Sequence, residues 1–265
     1  MSLNQIIKNT TQSDIQFQLN GILEEYDNFS LDDNLLPRKI LVWLPKDYYS
    51  KRKYDCKYRV IYMHDGQNLF DPSTSYAGKH WEVSETLTRL LKAKQIYDLI
   101  IVGIYNTTER LEEYDYSSKG KMYLDGIVNN LKPFIDKEYR TLTDRENTAM
   151  IGSSMGGLIS FYAGWFYSHI FSKVGCMSSS FYYHNDQVLN MVSEYNGEKI
   201  PVKFYIDHGD DGHIRSQKMF CLLSQKGYII GKDIDYYYQY KGEHNESEWA
   251  KRLVRPLKFF FGKDN

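Results

Sequence analysis

The sequence predicts an α/β fold of three layers, with a mostly parallel sheet covered by helices on both faces. Three observations predict it. Alternating β-forming segments come first, short and continuously apolar runs follow, and stretches with apolar residues at helical spacing lie between those runs. Residues 15–19 and 21–29 read as opening strands, and 38–44 (RKILVWL) alternates until Pro45 closes it. These early strands, about residues 12–45, suit antiparallel pairing. The runs 58–63 (YRVIYM), 99–104 (LIIVGI), 148–152 (TAMIG), 173–177 and 202–206 (VKFYI) have the character of strands buried on both faces. Segment 233–240 (DIDYYYQY) alternates again and reads as a last strand near the sheet edge.

The helices follow from the same periodicity. Met155, Leu158, Ile159, Tyr162, Ala163 and Phe166 share one helical face, and so do Trp249, Leu253, Leu257 and Phe260. Residues 123–139 are helical in pattern, with Pro133 expected to kink or bound the helix. No repeat or linker divides the chain. One domain is therefore expected over residues 1–265, with its core at about 57–262.

Composition excludes several classes. The 33 basic and 34 acidic residues nearly cancel, and the one basic triplet, Lys51-Arg52-Lys53, reads as a solvated loop, so nucleic acid is not an expected partner. No apolar run approaches the roughly 18–20 residues that span a bilayer. The first residues lack the basic flank and apolar core of a secretory signal. Cys56, Cys176 and Cys221 are odd in number and form no CxxC pair, which speaks against a disulfide framework or a cysteine metal site. Buried reduced thiols in a cytoplasmic protein are the expectation. The 24 tyrosines fit half-buried positions where a ring packs and its hydroxyl stays wet.

The chemistry centres on Gly152-Ser153-Ser154-Met155-Gly156-Gly157, a G-x-S-x-G motif between an apolar strand and an amphipathic helix. In such a turn small residues relieve crowding around a strained serine, and the helix start aims amide N–H groups at an oxyanion. A serine nucleophile needs a base, and in this motif's chain order the base comes last. His208, His213 and His244 are late enough; His244 follows the last strand and precedes the last helix, so it is the expected base. The orienting carboxylate is expected after strand 202–206. Asp207 belongs to the strand end, and of the two loop residues Asp211 is preferred, with Asp210 the alternative. One of them is also suited to cap the helix that starts near Ile214. Asp210, Asp211 and His213 fit no specific metal spacing, so no metal is expected. The oxyanion donors are expected at the amides of Met155 and of Gln67, in the loop His64-Asp65-Gly66-Gln67-Asn68. Within that loop His64 and Asp65 read first as groups that hold it together, and Asp65 and Asn68 are also candidates to touch substrate.

The run YRVIYMHDGQNLFD, the elbow GSSMGG and the segment GEHNESEW together resemble an esterase family. That family includes enterochelin esterases, S-formylglutathione hydrolase, feruloyl and acetylxylan esterases and mycolyltransferases. The resemblance spans roughly residues 36–261. It implies an eight-stranded α/β-hydrolase core and ester hydrolysis without a cofactor, on a small-molecule ester such as a siderophore, an acetylated or feruloylated sugar, or a small thioester. It also implies an aromatic wall at Phe181 and Tyr182 and a cleft-bordering segment at residues 103–114. There Arg110 is placed at the substrate, with a structural ion pair as the competing role. Two departures stand out: Ser153 replaces the family's frequent histidine, and the acid loop, Gly209-Asp210-Asp211-Gly212, is shorter than usual. An acyltransferase with the same triad and a non-catalytic binding protein on the same scaffold are the alternatives.

Overall fold

The computed structural model describes residues 21–50 and 54–263. The expected strand at 15–19 and the basic triplet at 51–53 lie outside the described residues. The strands are β1 (Gly21–Phe29), β2 (Arg38–Pro45), β3 (Arg59–His64), β4 (Leu99–Ile104), β5 (Thr148–Ser153), β6 (Lys173–Met177), β7 (Lys203–His208) and β8 (Ile234–Tyr238). The helices are α1 (Val83–Lys92), α2 (Arg110–Glu113), α3 (Ser118–Gly126), α4 (Lys132–Glu138), α5 (Met155–Phe166), α6 (Tyr183–Glu194), α7 (Arg215–Gln225), α8 (Glu246–Arg252) and α9 (Val254–Phe261).

One eight-stranded sheet has the order β1-β2-β4-β3-β5-β6-β7-β8. β2 pairs antiparallel with both β1 and β4, and every later pairing is parallel. The chain is an α/β-hydrolase in fold class. Alternate strand residues feed two cores. Ile100, Val102 and Ile104 of β4 face the layer that contains Tyr123, Leu158 and Met219, whereas Leu99 and Ile101 face the layer of Leu87, Leu257 and Phe261. This alternation explains why the central strands are apolar at every position.

Two helix expectations are refined by prolines. The segment around Pro133 stays helical because a π-turn at Ile127–Leu131 joins α3 to α4; there the Lys132 amide reaches back to the Ile127 carbonyl. The wide turn absorbs the ring of Pro133, which has no amide hydrogen to donate. The face Trp249, Leu253, Leu257 and Phe260 is carried by two helices rather than one. Pro256, early in α9, cannot donate to the preceding turn, and the helix breaks at Leu253. Among the described residues no helix is long and apolar enough to cross a membrane.

The strand order reverses direction at β3. The chain winds from β3 to β4 on one side and then returns to place β5 on the other. The loop after β3 and the turn after β5 therefore meet at the carboxyl ends of adjacent strands, where open α/β sheets form their crevice.

Candidate active site

Ser154 occupies the tight turn between β5 and α5, with φ 54° and ψ −125°. That backbone is costly for a residue with a Cβ, and surrounding contacts over-determine it. Its amide donates to the Met177 carbonyl at 3.0 Å, and its carbonyl accepts from the Ser180 amide at 3.0 Å. Gly152 permits the turn, since a Cβ there would lie 2.4 Å from the carbonyl carbon of Gly156. The Ser154 Oγ lies 3.3 Å from the Ser180 Oγ. Met155, the first residue of α5, has an amide beyond the reach of intrahelical pairing.

Ser154 and His244 line one cavity of about 340 Å³. His244 lies in the loop between β8 and α8. Its Nδ1 is 3.5 Å from Asp211 Oδ2, its ring stacks parallel on His213 at 4.1 Å, and Trp249 meets it edge-on at 4.9 Å. These contacts leave the imidazole one orientation. The loops after β7 and β8 touch through Gly209, where a Cβ would lie 2.2 Å from the Gly242 carbonyl oxygen.

The two adjacent aspartates have opposite settings. Asp210 faces outward, accepts from the Lys241 amide at 2.6 Å and from the Tyr238 hydroxyl, and ties the two loops together. Asp211 has a fully buried carboxylate. Burial pushes its carboxyl upward, but hydrogen bonds from His213, His244 and Ser178 outweigh that and hold it far below the usual carboxylate range. Ser178 donates to Asp211 Oδ2 at 2.5 Å and accepts from Arg252 Nη2 at 2.8 Å. Arg252 in turn pairs with Asp207 at 3.3 Å. Asp207 is pushed up to about 6 by burial, with Arg252 pulling against it.

Asp211, His213 and His244 also present ligand atoms within 4.8 Å of one another, a group that spacing along the chain did not reveal. The two imidazole planes lie within 5° of parallel, so their in-plane lone pairs run side by side instead of converging on one ion.

The loop after β3 forms the facing wall. Gln67 lines the cavity, and its side-chain Oε1 accepts from the Asn106 amide at 3.3 Å. Asp65 is gripped by Arg110 Nε and Nη2 at 2.7 and 2.8 Å and by Asn106 Nδ2 at 2.6 Å. Burial works against both charges, yet each holds the other ionised: Asp65 is lowered and Arg110 raised. Arg110 thus makes the structural ion pair, and both residues still line the cavity. The Arg38–Glu113 pair, at 2.6 Å and fully buried, anchors α2, the helix that Arg110 begins. His64 sits behind the loop, its Nδ1 2.8 Å from the Tyr123 hydroxyl, and burial drives its pKa down to about 3. Asn68 accepts from the Tyr76 amide at 3.0 Å and donates to Glu246 Oε1 at 3.3 Å.

The expected aromatic wall needs correction. Phe181 has no exposed surface and packs edge-on against Phe161 in the core at 5.6 Å, so it cannot face a ligand. Tyr182 is exposed and leans on His213 at 5.6 Å, lining a neighbouring groove with Asp211 and Arg215. Sequence reading gave no site role to Glu246, Tyr76 and Trp249 in the cavity wall, nor to Ser178 and Arg252 behind Asp211; His213, weighed as a base, stacks on His244. The run His244-Asn245-Glu246 was the available signal for Glu246; Ser178 and Arg252 carried none, because their partners lie far away in the chain.

Comparison with known proteins places this geometry in a family. The fold superposes on a ferulic acid esterase with a TM-score of 0.74 and 22% identity, covering 91% of this chain and 98% of that one. It superposes on the enterobactin esterase FES from Shigella flexneri with a TM-score of 0.72 and 18% identity, covering 90% of this chain but only 59% of that one. Among relatives in sequence, YjcH of Bacillus subtilis is 26% identical over 90% of this chain and 97% of its own length. YbbA of the same organism is 27% identical over 161 residues, and the match spans 59% of its length. Residues 36–260 match the family model described as "Putative esterase", so the chain belongs to that family and is a hydrolytic esterase.

Proposed function

We propose that the protein cleaves small-molecule carboxylic esters by double displacement through Ser154, His244 and Asp211. The observation that carries this is the shared cavity: a strained serine at a helix start and a histidine leaning on a buried carboxylate open into the same space. His244 takes the Ser154 proton as the oxygen attacks the ester carbonyl. The oxyanion rests on the amides of Met155 and Gln67. His244 then protonates the leaving alcohol, and water, activated by the same ring, releases the acid from the acyl-enzyme. Asp211 stabilises the imidazolium and keeps its proton on Nδ1. The likeness in fold to a ferulic acid esterase and to an enterobactin esterase supports a small-molecule ester as substrate.

A fluorophosphonate probe tests the reading. The wild type labels at Ser154 and turns over an aryl ester, whereas Ser154→Ala does neither, losing at least about a thousandfold in rate. Equal labelling of the two proteins would sink the assignment.

A further inference from the structure

The cavity of Ser154 and His244 contains more negative than positive charge. Arg110 is the permanent cation among its lining residues, and both Nε and Nη2 are committed to Asp65. Glu246 is left over. It is 6% exposed, lines the cavity, and accepts a hydrogen bond from the side chain of one neighbour, the neutral Asn68 amide at 3.3 Å. Among the described residues it forms no ion pair. Burial pushes its carboxyl upward and its own backbone amide pulls it back, while the Asp65 charge adds to the rise against smaller pulls from His244 and Arg110. The net upward direction means that the protein compensates only in part for removing this carboxylate from water.

The setting favours a cation from outside. Asn68 is pinned by the Tyr76 amide at 3.0 Å and so holds the Glu246 carboxylate in place. Trp249, three residues on in α8, and Tyr76 at the rim add aromatic surface to the same wall, and aromatic faces attract ammonium groups. Arg110 does not repel such a group strongly, because Asp65 neutralises it at contact distance.

We propose that this esterase selects esters that carry a protonated amine, and that Glu246 receives the ammonium group. The proposal rests on the reading of Ser154 and His244 as the ester-cleaving pair. Glu246 follows His244 by two residues and begins α8, so one loop-to-helix junction presents both the base and the amine-binding carboxylate. If Glu246 acted only through His244, neutral and cationic esters would slow alike.

The test compares kcat/KM within isosteric series. On the acyl side these are the p-nitrophenyl esters of ε-aminohexanoate, heptanoate and pimelate; on the alcohol side they are the acetates of aminohexanol and heptanol. In at least one series the wild type prefers the ammonium ester over its methyl isostere by about tenfold or more, the size of a hydrogen bond to a charged group. The pimelate monoester is the poorest of the acyl series. Glu246→Gln brings the ammonium-to-methyl ratio toward unity, with fluorophosphonate labelling of Ser154 showing that the variant site is assembled. Absence of an ammonium preference in both series overturns the proposal, and so does a preference that survives Glu246→Gln. If the wild type neither labels nor turns over any of these esters, the hydrolytic reading fails first and this one with it.

Discussion

The turn after β5 and the loop after β8 deliver side chains to the same cavity, with the loop after β7 behind His244, but they are held by different forces. Ser154 is fixed by backbone: two main-chain hydrogen bonds to Met177 and Ser180, and a glycine-to-glycine contact too tight for a Cβ. His244 and Asp211 are fixed mainly by side chains, some from near neighbours and some from remote parts of the chain. Ser178 and His213 bond Asp211, His213 and Trp249 pack on His244, Arg252 holds Ser178, and a buried Asp207–Arg252 pair stands behind them. A backbone-held residue keeps its place through changes in protonation. A side-chain-held pair depends on the charge of each partner, and here a carboxylate shared by two histidines and a serine is kept ionised by all three.

The sharpest break of this contrast is Asp211→Asn. The amide cannot stabilise an imidazolium and favours the wrong tautomer, so kcat on an aryl ester is expected to fall about a thousandfold to ten-thousandfold while fluorophosphonate still reaches an intact Ser154 turn. A loss of less than about tenfold would remove Asp211 from the orienting role. The next effect lies on the elbow side and concerns pH. Burial keeps the His64 ring neutral, with a pKa of about 3, whereas the unfolded chain titrates near about 6.5. The folded state gains fully above about 6.5 and loses that advantage as pH falls through the window toward about 3, by up to about 1.4 kcal/mol per pH unit. His64→Gln is expected to flatten the fall of Tm across that window; an unchanged slope would show that other groups set acid stability. The smallest effect is Asp210→Asn. This neighbour of Asp211 faces solvent and bonds through acceptors that asparagine partly keeps, so the rate should change by less than about threefold in a side-by-side assay.

Much of this was legible from local pattern. The apolar runs became β3 to β7 because strands buried on both faces need apolar residues at every position. The small residues around Ser154 foretold a turn with no room for a Cβ. Pro133 marked a disturbance, although the π-turn that absorbs it followed from the packing on both sides. The aromatic run after β6 misled: a string of adjacent rings does not tell which one turns inward, and the core took Phe181. The choice between Asp210 and Asp211 was open for a similar reason, since one residue's shift along a loop reverses which carboxylate is buried.

What the sequence determined by itself is the periodicity of the sheet and helices, the tight turn at Ser154 and the chain order of Ser154, Asp211 and His244. These depend on sterics and spacing between near neighbours. Tertiary structure decided which aspartate lost its water, that Arg110 is balanced by Asp65 and that Glu246, in the cavity wall, has no ion pair among the described residues. It also placed Arg252 against Ser178, a hydrogen bond across 74 positions of the chain. The free energy of a charge depends on burial and on its partners, and both are fixed only when distant segments meet.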